Sequence, residues 1–206
     1  MLEADQLILF ATTAVLLAAT PGPDILYVIT RGLTQGRTSA LAAAAGFSLG
    51  NIVHTTFAII GVSAIIKASA VAFTAIKIAG ALYLIYIGIK IFRSGAAKAG
   101  RDNKLLSAKT VFIQSVTANV LNPKVALFFI ALFPQFIRSR NGHESIQMAM
   151  LGGVFIVCTF VVFSACALFS GRIGDSLKKS RGAGLLNKLA GTVLIGLGVA
   201  LAFSRR

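Results

Sequence analysis

Apolar residues in this chain fall in long blocks separated by short segments that carry most of the lysines and arginines. Crossing a hydrocarbon core takes roughly 20 predominantly apolar residues in a helix, and blocks of this length recur along the chain. The pattern predicts membrane helices over about 6–30, 39–66, 68–92, 110–137, 146–170 and 185–203. These six spans form one membrane domain over 1–206, with no soluble domain of any size. The first block is expected to stay as a helix. Glu3 and Asp5 precede it, the wrong charge for the start of a cleaved leader. Spans 1 and 4 are interrupted, at Pro21-Gly22-Pro23 and at Asn122-Pro123-Lys124.

Composition agrees with a membrane class. Of 206 residues, 56% are hydrophobic and only 13% charged, against roughly 25% charged in a soluble domain. Mean hydropathy is +0.85. The net charge of +14, from 20 Lys and Arg against 6 Asp and Glu, would suggest nucleic acid in a soluble protein. Here the basic residues lie between apolar blocks, so they read as anchors on an anionic membrane face, and no nucleic-acid partner is expected. The connections after spans 1, 3 and 5 carry the larger share of Lys and Arg. They are expected on the cytoplasmic side, with both termini periplasmic.

The two halves resemble each other. Lys77-Ile78-Ala79-Gly80 opens span 3 and Lys188-Leu189-Ala190-Gly191 opens span 6, and Phe92 and Phe203 follow at the same spacing. Spans 1 and 4 are both broken by proline. Three spans per half would place the second half upside down, an inverted repeat.

Each break offers polar chemistry. Prolines lack an N–H and clash with the preceding turn, so Pro21-Gly22-Pro23 should unwind span 1 and restart it near Asp24. Unwound backbone persists in a membrane where it is buried in protein or lines a polar cavity. The restarted helix can face an anion such as a carboxylate. The other reading is a packed kink with Asp24 as a cap. Lys124 lies in an apolar run, where charge is costly and usually functional; alternatively it snorkels to the interface. An inverted repeat would bring the breaks together and make an Asp24–Lys124 pair.

In span 2, Gly46 and Gly50 form a face for close helix packing, with Asn51 beside it and His54 one turn on. His54 is either a proton carrier or a structural hydrogen-bonding group. Phe133-Pro134-Gln135-Phe136 ends or kinks span 4, leaving Gln135 as a further polar candidate. Cys158 and Cys166 share one span, separated by roughly 12 Å along its axis, too far to bridge. No metal-ligand cluster, cofactor motif, P-loop or hydrolase motif is present, so neither an enzyme nor a directly ATP-driven pump is expected.

The chain resembles the LysE/RhtB family of amino-acid exporters over essentially its whole length. The resemblance rests on Thr20-Pro21-Gly22-Pro23-Asp24, on Asn119-Val120-Leu121-Asn122-Pro123-Lys124, on Ala131-Leu132-Phe133-Pro134-Gln135-Phe136, and on the run from Ile76 to Gly88. It implies a secondary transporter that exports an amino acid or close derivative across the bacterial inner membrane by exchange for protons. It also implies a substrate and coupling region at Pro21, Gly22, Pro23, Asp24, Asn122, Pro123 and Lys124. Some members carry an acidic residue in span 2 before the histidine. Here Asn51 stands three residues before His54, which leaves Asp24 or His54 to couple protons. A homodimer is a common assembly for transporters this small. The competing readings are a membrane redox protein relaying disulfide electrons and a structural membrane subunit.

Overall fold

The computed structural model describes residues 2–62, 70–93, 105–138, 141–170 and 180–203. Every regular element among them is helical. The chain forms α1 (Ala4–Ala19), α2 (Pro23–Gln35), α3 (Arg37–Phe57), α4 (Ala70–Arg93), α5 (Ala108–Val120), α6 (Pro123–Leu127), α7 (Glu144–Leu168) and α8 (Ser180–Phe203). Residues 63–69, within or beside the expected ends of spans 2 and 3, lie outside the described residues. So do Lys98, Arg101, Lys104, Arg172, Lys178 and Lys179, which enter the charge count that orients the chain.

Local chemistry sets the helix limits. α1 begins before Gln6 because Glu3 and Gln6 form a capping box. α2 ends at Gly36, whose φ of 84° closes that helix and opens α3. Ser107 caps α5 by accepting from the Thr110 amide. α3 continues into a π-helical turn over Ala58–Val62. α6 continues through a π-helical turn (Phe128–Leu132) into a 3-10 turn (Phe133–Phe136), beyond which Ile137 is extended.

Both expected breaks are present. α1 and α2 meet at 59°, and α5 meets the Pro123–Phe136 segment at 45°. Among the described residues, Arg37–Gly61 and Glu144–Leu168 are each long and apolar enough to cross a membrane. Counting each bent pair as one span gives four.

α3 packs against α5, α7 and α2, α1 packs on α7, and α4 pairs with α8. The α4–α8 contact is backbone to backbone: a Cβ at Gly88 would meet the Gly191 carbonyl at 2.8 Å, and one at Gly191 would meet the Gly88 carbonyl at 2.6 Å. Only small residues permit such an approach.

Two apolar clusters form the interior. One gathers Phe10, Phe128, Phe129, Phe133 and Phe155, with Phe128 stacked on Phe155 at 4.8 Å between ring centres. The other gathers Ile29, Ala43, Ala44, Phe47 and Phe163. The outer faces present Ile8, Leu9, Phe57, Ile60, Val157 and Val161, as a lipid-facing surface requires.

Candidate functional site

The first break is built by two prolines around a glycine. Thr20 and Gly22 are extended, and Pro23 takes the first helical position of α2, where its missing N–H costs nothing. The second break repeats the device. Asn122 caps α6 by accepting from the Lys124 amide at 3.0 Å, and Pro123 takes the first position. Asp24 and Lys124 therefore hold the same place, each directly after the proline that restarts its helix.

The two breaks meet. Lys124 Nζ lies 2.9 Å from Asp24 Oδ2, with both side chains buried. Lys124 Nζ also donates to the Thr20 carbonyl at 3.3 Å, a group freed by the unwinding. Gly22 makes room for the pair: a Cβ there would lie 2.6 Å from Asp24 Oδ1 and 3.2 Å from Lys124 Nζ. The ion pair expected from an approach of the two breaks is thus present, and Lys124 does not snorkel.

A second polar group comes from α3 and α5. A Cβ at Gly46 would meet the Phe112 carbonyl at 2.5 Å, and one at Gly50 would meet Asn119 Oδ1 at 2.7 Å. This close approach lets Asn119 Nδ2 donate to Asn51 Oδ1 at 3.2 Å. His54 Nε2 lies 3.1 Å from the Asn119 carbonyl. A carbonyl only accepts, so that nitrogen carries a hydrogen. The His54 ring stacks on Phe129 at 5.5 Å.

Asp24, Lys124, Asn51, Asn119 and Thr159 share one pocket at the seam of the two apolar clusters, closed by Leu17, Ala18, Val125, Phe155 and Phe163. It has room for about one water molecule. Of the residues singled out in the sequence, Asp24, Asn51 and Lys124 line it. Pro21, Gly22, Pro23, Asn122 and Pro123 shape the breaks beside it. His54 and Gln135 are not in its wall. Asn119 and Thr159 are, and sequence reasoning did not single them out as site residues. Among the described residues, no group of three His, Cys, Asp or Glu could hold a metal ion. Cys158 and Cys166 are free thiols on α7 outside the pocket lining.

A polar latch ties the start of α1 to the segment before α7. Gln6 donates to the Phe136 carbonyl and, at 3.2 Å, to Gln147 Oε1. Gln147 donates to the carbonyls of Arg138 at 3.0 Å and Gly142 at 2.7 Å, and accepts from the Arg138 amide at 3.1 Å. Arg138 pairs with Glu3 and, at 2.5 Å, with Asp5. The hydrogen bond to Asp5 is the main influence holding the Arg138 guanidinium above its ordinary pKa.

Comparison with known proteins gives this architecture a family. A model described as LysE type translocator matches residues 15–205. The homoserine/homoserine lactone efflux protein of Salmonella typhimurium is 32% identical over 197 residues, 95% of this chain and 95% of that protein. An uncharacterized membrane protein of Vibrio cholerae is also 32% identical over 197 residues, 95% of this chain and 96% of that protein. The leucine efflux protein of Salmonella choleraesuis is 27% identical over 192 residues, 92% of this chain and 91% of that protein. No solved structure matches. With the match extending over nearly the whole chain and including both helix breaks, this protein belongs to the LysE type translocator family of membrane transport proteins.

Proposed function

We propose that this protein exports small amino acids across the bacterial inner membrane by alternating access, exchanging them for protons. The observation that carries this reading is the buried Asp24–Lys124 pair at the meeting of two broken helices. A zwitterionic amino acid carries the complementary charges. Its ammonium replaces Lys124 at Asp24 and at the Thr20 carbonyl. Its carboxylate replaces Asp24 at Lys124. Opening the pair exchanges one buried contact for two, so substrate stabilises the open pocket and leaves no charge uncompensated.

The architecture we propose has six spans: α1–α2, α3, α4, α5–α6, α7 and α8. They form two inverted halves. The shared proline-then-charge order at the breaks supports this, as does the packing of α3 on α7 and α4 on α8. With both termini periplasmic, the Gln6–Gln147 latch would lie on the periplasmic side, and we assign it the closing of that exit. Asp24 is the residue we assign to proton coupling, because a proton there releases Lys124 without substrate. The efflux names of relatives acting on homoserine and on leucine support a neutral amino acid as cargo.

The test is release from intact cells. Cells preloaded with amino acids by dipeptide feeding should export one or a few of them when this protein is made, and stop with Lys124→Ala. Absence of release above empty-vector cells, at verified membrane levels, would refute the proposal.

A further inference from the structure

Hydroxyl groups in membrane helices normally satisfy themselves by donating to the carbonyl one turn earlier. This protein follows that habit at Thr12, Thr13, Thr20, Ser48, Thr55 and Ser115. Thr159 and Ser164 on α7 depart from it, and of the two only Thr159 lines the pocket. The Thr159 Oγ1 is buried with no hydrogen-bond partner among the described residues. Asn51 and Asn119 line the same pocket, and among the described residues Asn51 Nδ2 and Asn119 Oδ1 are also unpartnered, although the two amides bond to each other through their remaining atoms. All three residues are at most 3% exposed. They come from three different helices, α7, α3 and α5, so no single local distortion accounts for them.

An unpaired buried polar group is costly, and three around one small pocket ask for a ligand that supplies hydrogen bonds. The set comprises a donor, an acceptor and a hydroxyl that does both. It contains no charge. Among the described residues, Asp24 is the one carboxylate in the pocket wall, and the proposed transport role commits it to the substrate ammonium. A cationic substrate side chain would find no counter-ion here. An aliphatic one would keep the three polar atoms buried and unpaired.

We propose that Thr159, together with Asn51 Nδ2 and Asn119 Oδ1, is a specificity-determining subsite that reads an uncharged hydrogen-bonding group, such as a hydroxyl, on the substrate side chain. The inference rests on the transport reading above and adds the residues that choose among cargoes. Phe155 and Phe163 bound the same pocket and restrict the side chain to a short one. A site built to bond a hydroxyl rejects the isosteric analogue that lacks it, because its own polar groups are then stranded.

Threonine and valine differ by that one exchange of hydroxyl for methyl and serve as the probe pair. Cells loaded with both should release threonine in preference through the unmodified protein. Thr159→Val should lower the threonine-to-valine release ratio by about 3- to 10-fold, and Thr159→Ser should preserve it. Membrane levels are followed with a fluorescent fusion. In parallel, threonine should raise the unfolding temperature of the purified unmodified protein more than valine does, a reading that needs no variant. Continued release with a ratio unchanged by Thr159→Val would overturn the subsite and leave the transport reading intact. Equal stabilisation by threonine and valine would also overturn it. Release of no amino acid by the unmodified protein would overturn both.

Discussion

Removing one member of the Asp24–Lys124 pair should destabilise the protein more than removing both. Lys124→Met leaves a carboxylate at 3% exposure without the ammonium 2.9 Å away. Stranding one partner of a buried ion pair costs about 3–5 kcal/mol. The bond from Lys124 to the Thr20 carbonyl is lost as well, about 1 kcal/mol within that range. Asp24→Asn combined with Lys124→Met strands no charge, and neutral replacements of a buried pair are often close to neutral in stability. For a chain of this size, 1 kcal/mol moves the midpoint of thermal unfolding by about 2–4 °C. The single variant should therefore unfold about 6–20 °C lower. The double variant should stay within about 4 °C of the unmodified protein. Thermal unfolding in mild detergent, with export followed in cells, reads both properties. Export should be lost in both variants, because neither retains the two charges that a zwitterion would engage. A single variant that melts at the unmodified temperature, or a double variant that exports at the unmodified rate, would refute the reasoning.

Three further outcomes follow from the packing. Gly50→Ala places a methyl 2.7–2.9 Å from the Asn119 side chain and should cost about 1–3 kcal/mol by thermal unfolding; Gly153→Ala, with nothing within 4 Å, should cost nothing. Replacing Cys158 and Cys166 together by serine should leave export unchanged, since both thiols lie on one helix outside the pocket lining; loss of export at normal membrane levels would return a thiol relay to consideration. Gln147→Leu leaves Gln6 and the Arg138 amide short of a partner, about 1–3 kcal/mol for each orphaned group. Amide hydrogen exchange of Ile137, Arg138 and Asn141 should accelerate accordingly, and unchanged protection would argue against the latch.

The breaks were legible in the sequence because proline is the strongest local signal a helix can carry, and a charge beside each proline marked where the polar chemistry lies. Their meeting was the expectation drawn from the likeness of the halves, and the Asp24–Lys124 contact is present. The helix limits were less legible. Hydropathy registers where a bilayer would begin, whereas α8 starts at Ser180 and α2 runs on to Gln35, beyond the apolar blocks. Polar and basic residues such as Arg31, Arg181 and Gln35 are good helix formers and carry a helix past its apolar stretch. The π-helical turns at Ala58–Val62 and Phe128–Leu132 leave no composition signal, because tertiary packing sets them. Asn119 stood inside a quoted motif, yet its side chain acquires meaning only through Gly50, which lets α5 come close enough to reach Asn51. Thr159 was invisible for a different reason. A lone hydroxyl in an apolar helix ordinarily bonds its own backbone, and only the three-dimensional arrangement shows that those of Thr159 and Ser164 do not and that Thr159 lines the pocket.

The lysine and aspartate between the broken helices also bear on how the membrane voltage acts. A single charge moved through the field feels about 2.3 kcal/mol per 100 mV. The paired site sums to zero, and so does the same site holding a zwitterion. In the proposed alternating-access cycle, reorientation of the resting carrier and of the loaded carrier would then be electrically silent, and the resting potential would not bias which way the empty pocket faces. On the proposed assignment of proton coupling to Asp24, any current that accompanies transport would ride on the step in which the pair is out of balance. In the proposed cycle, voltage would thereby act on the proton-carrying step alone, and the chemical gradient of the amino acid would govern the others.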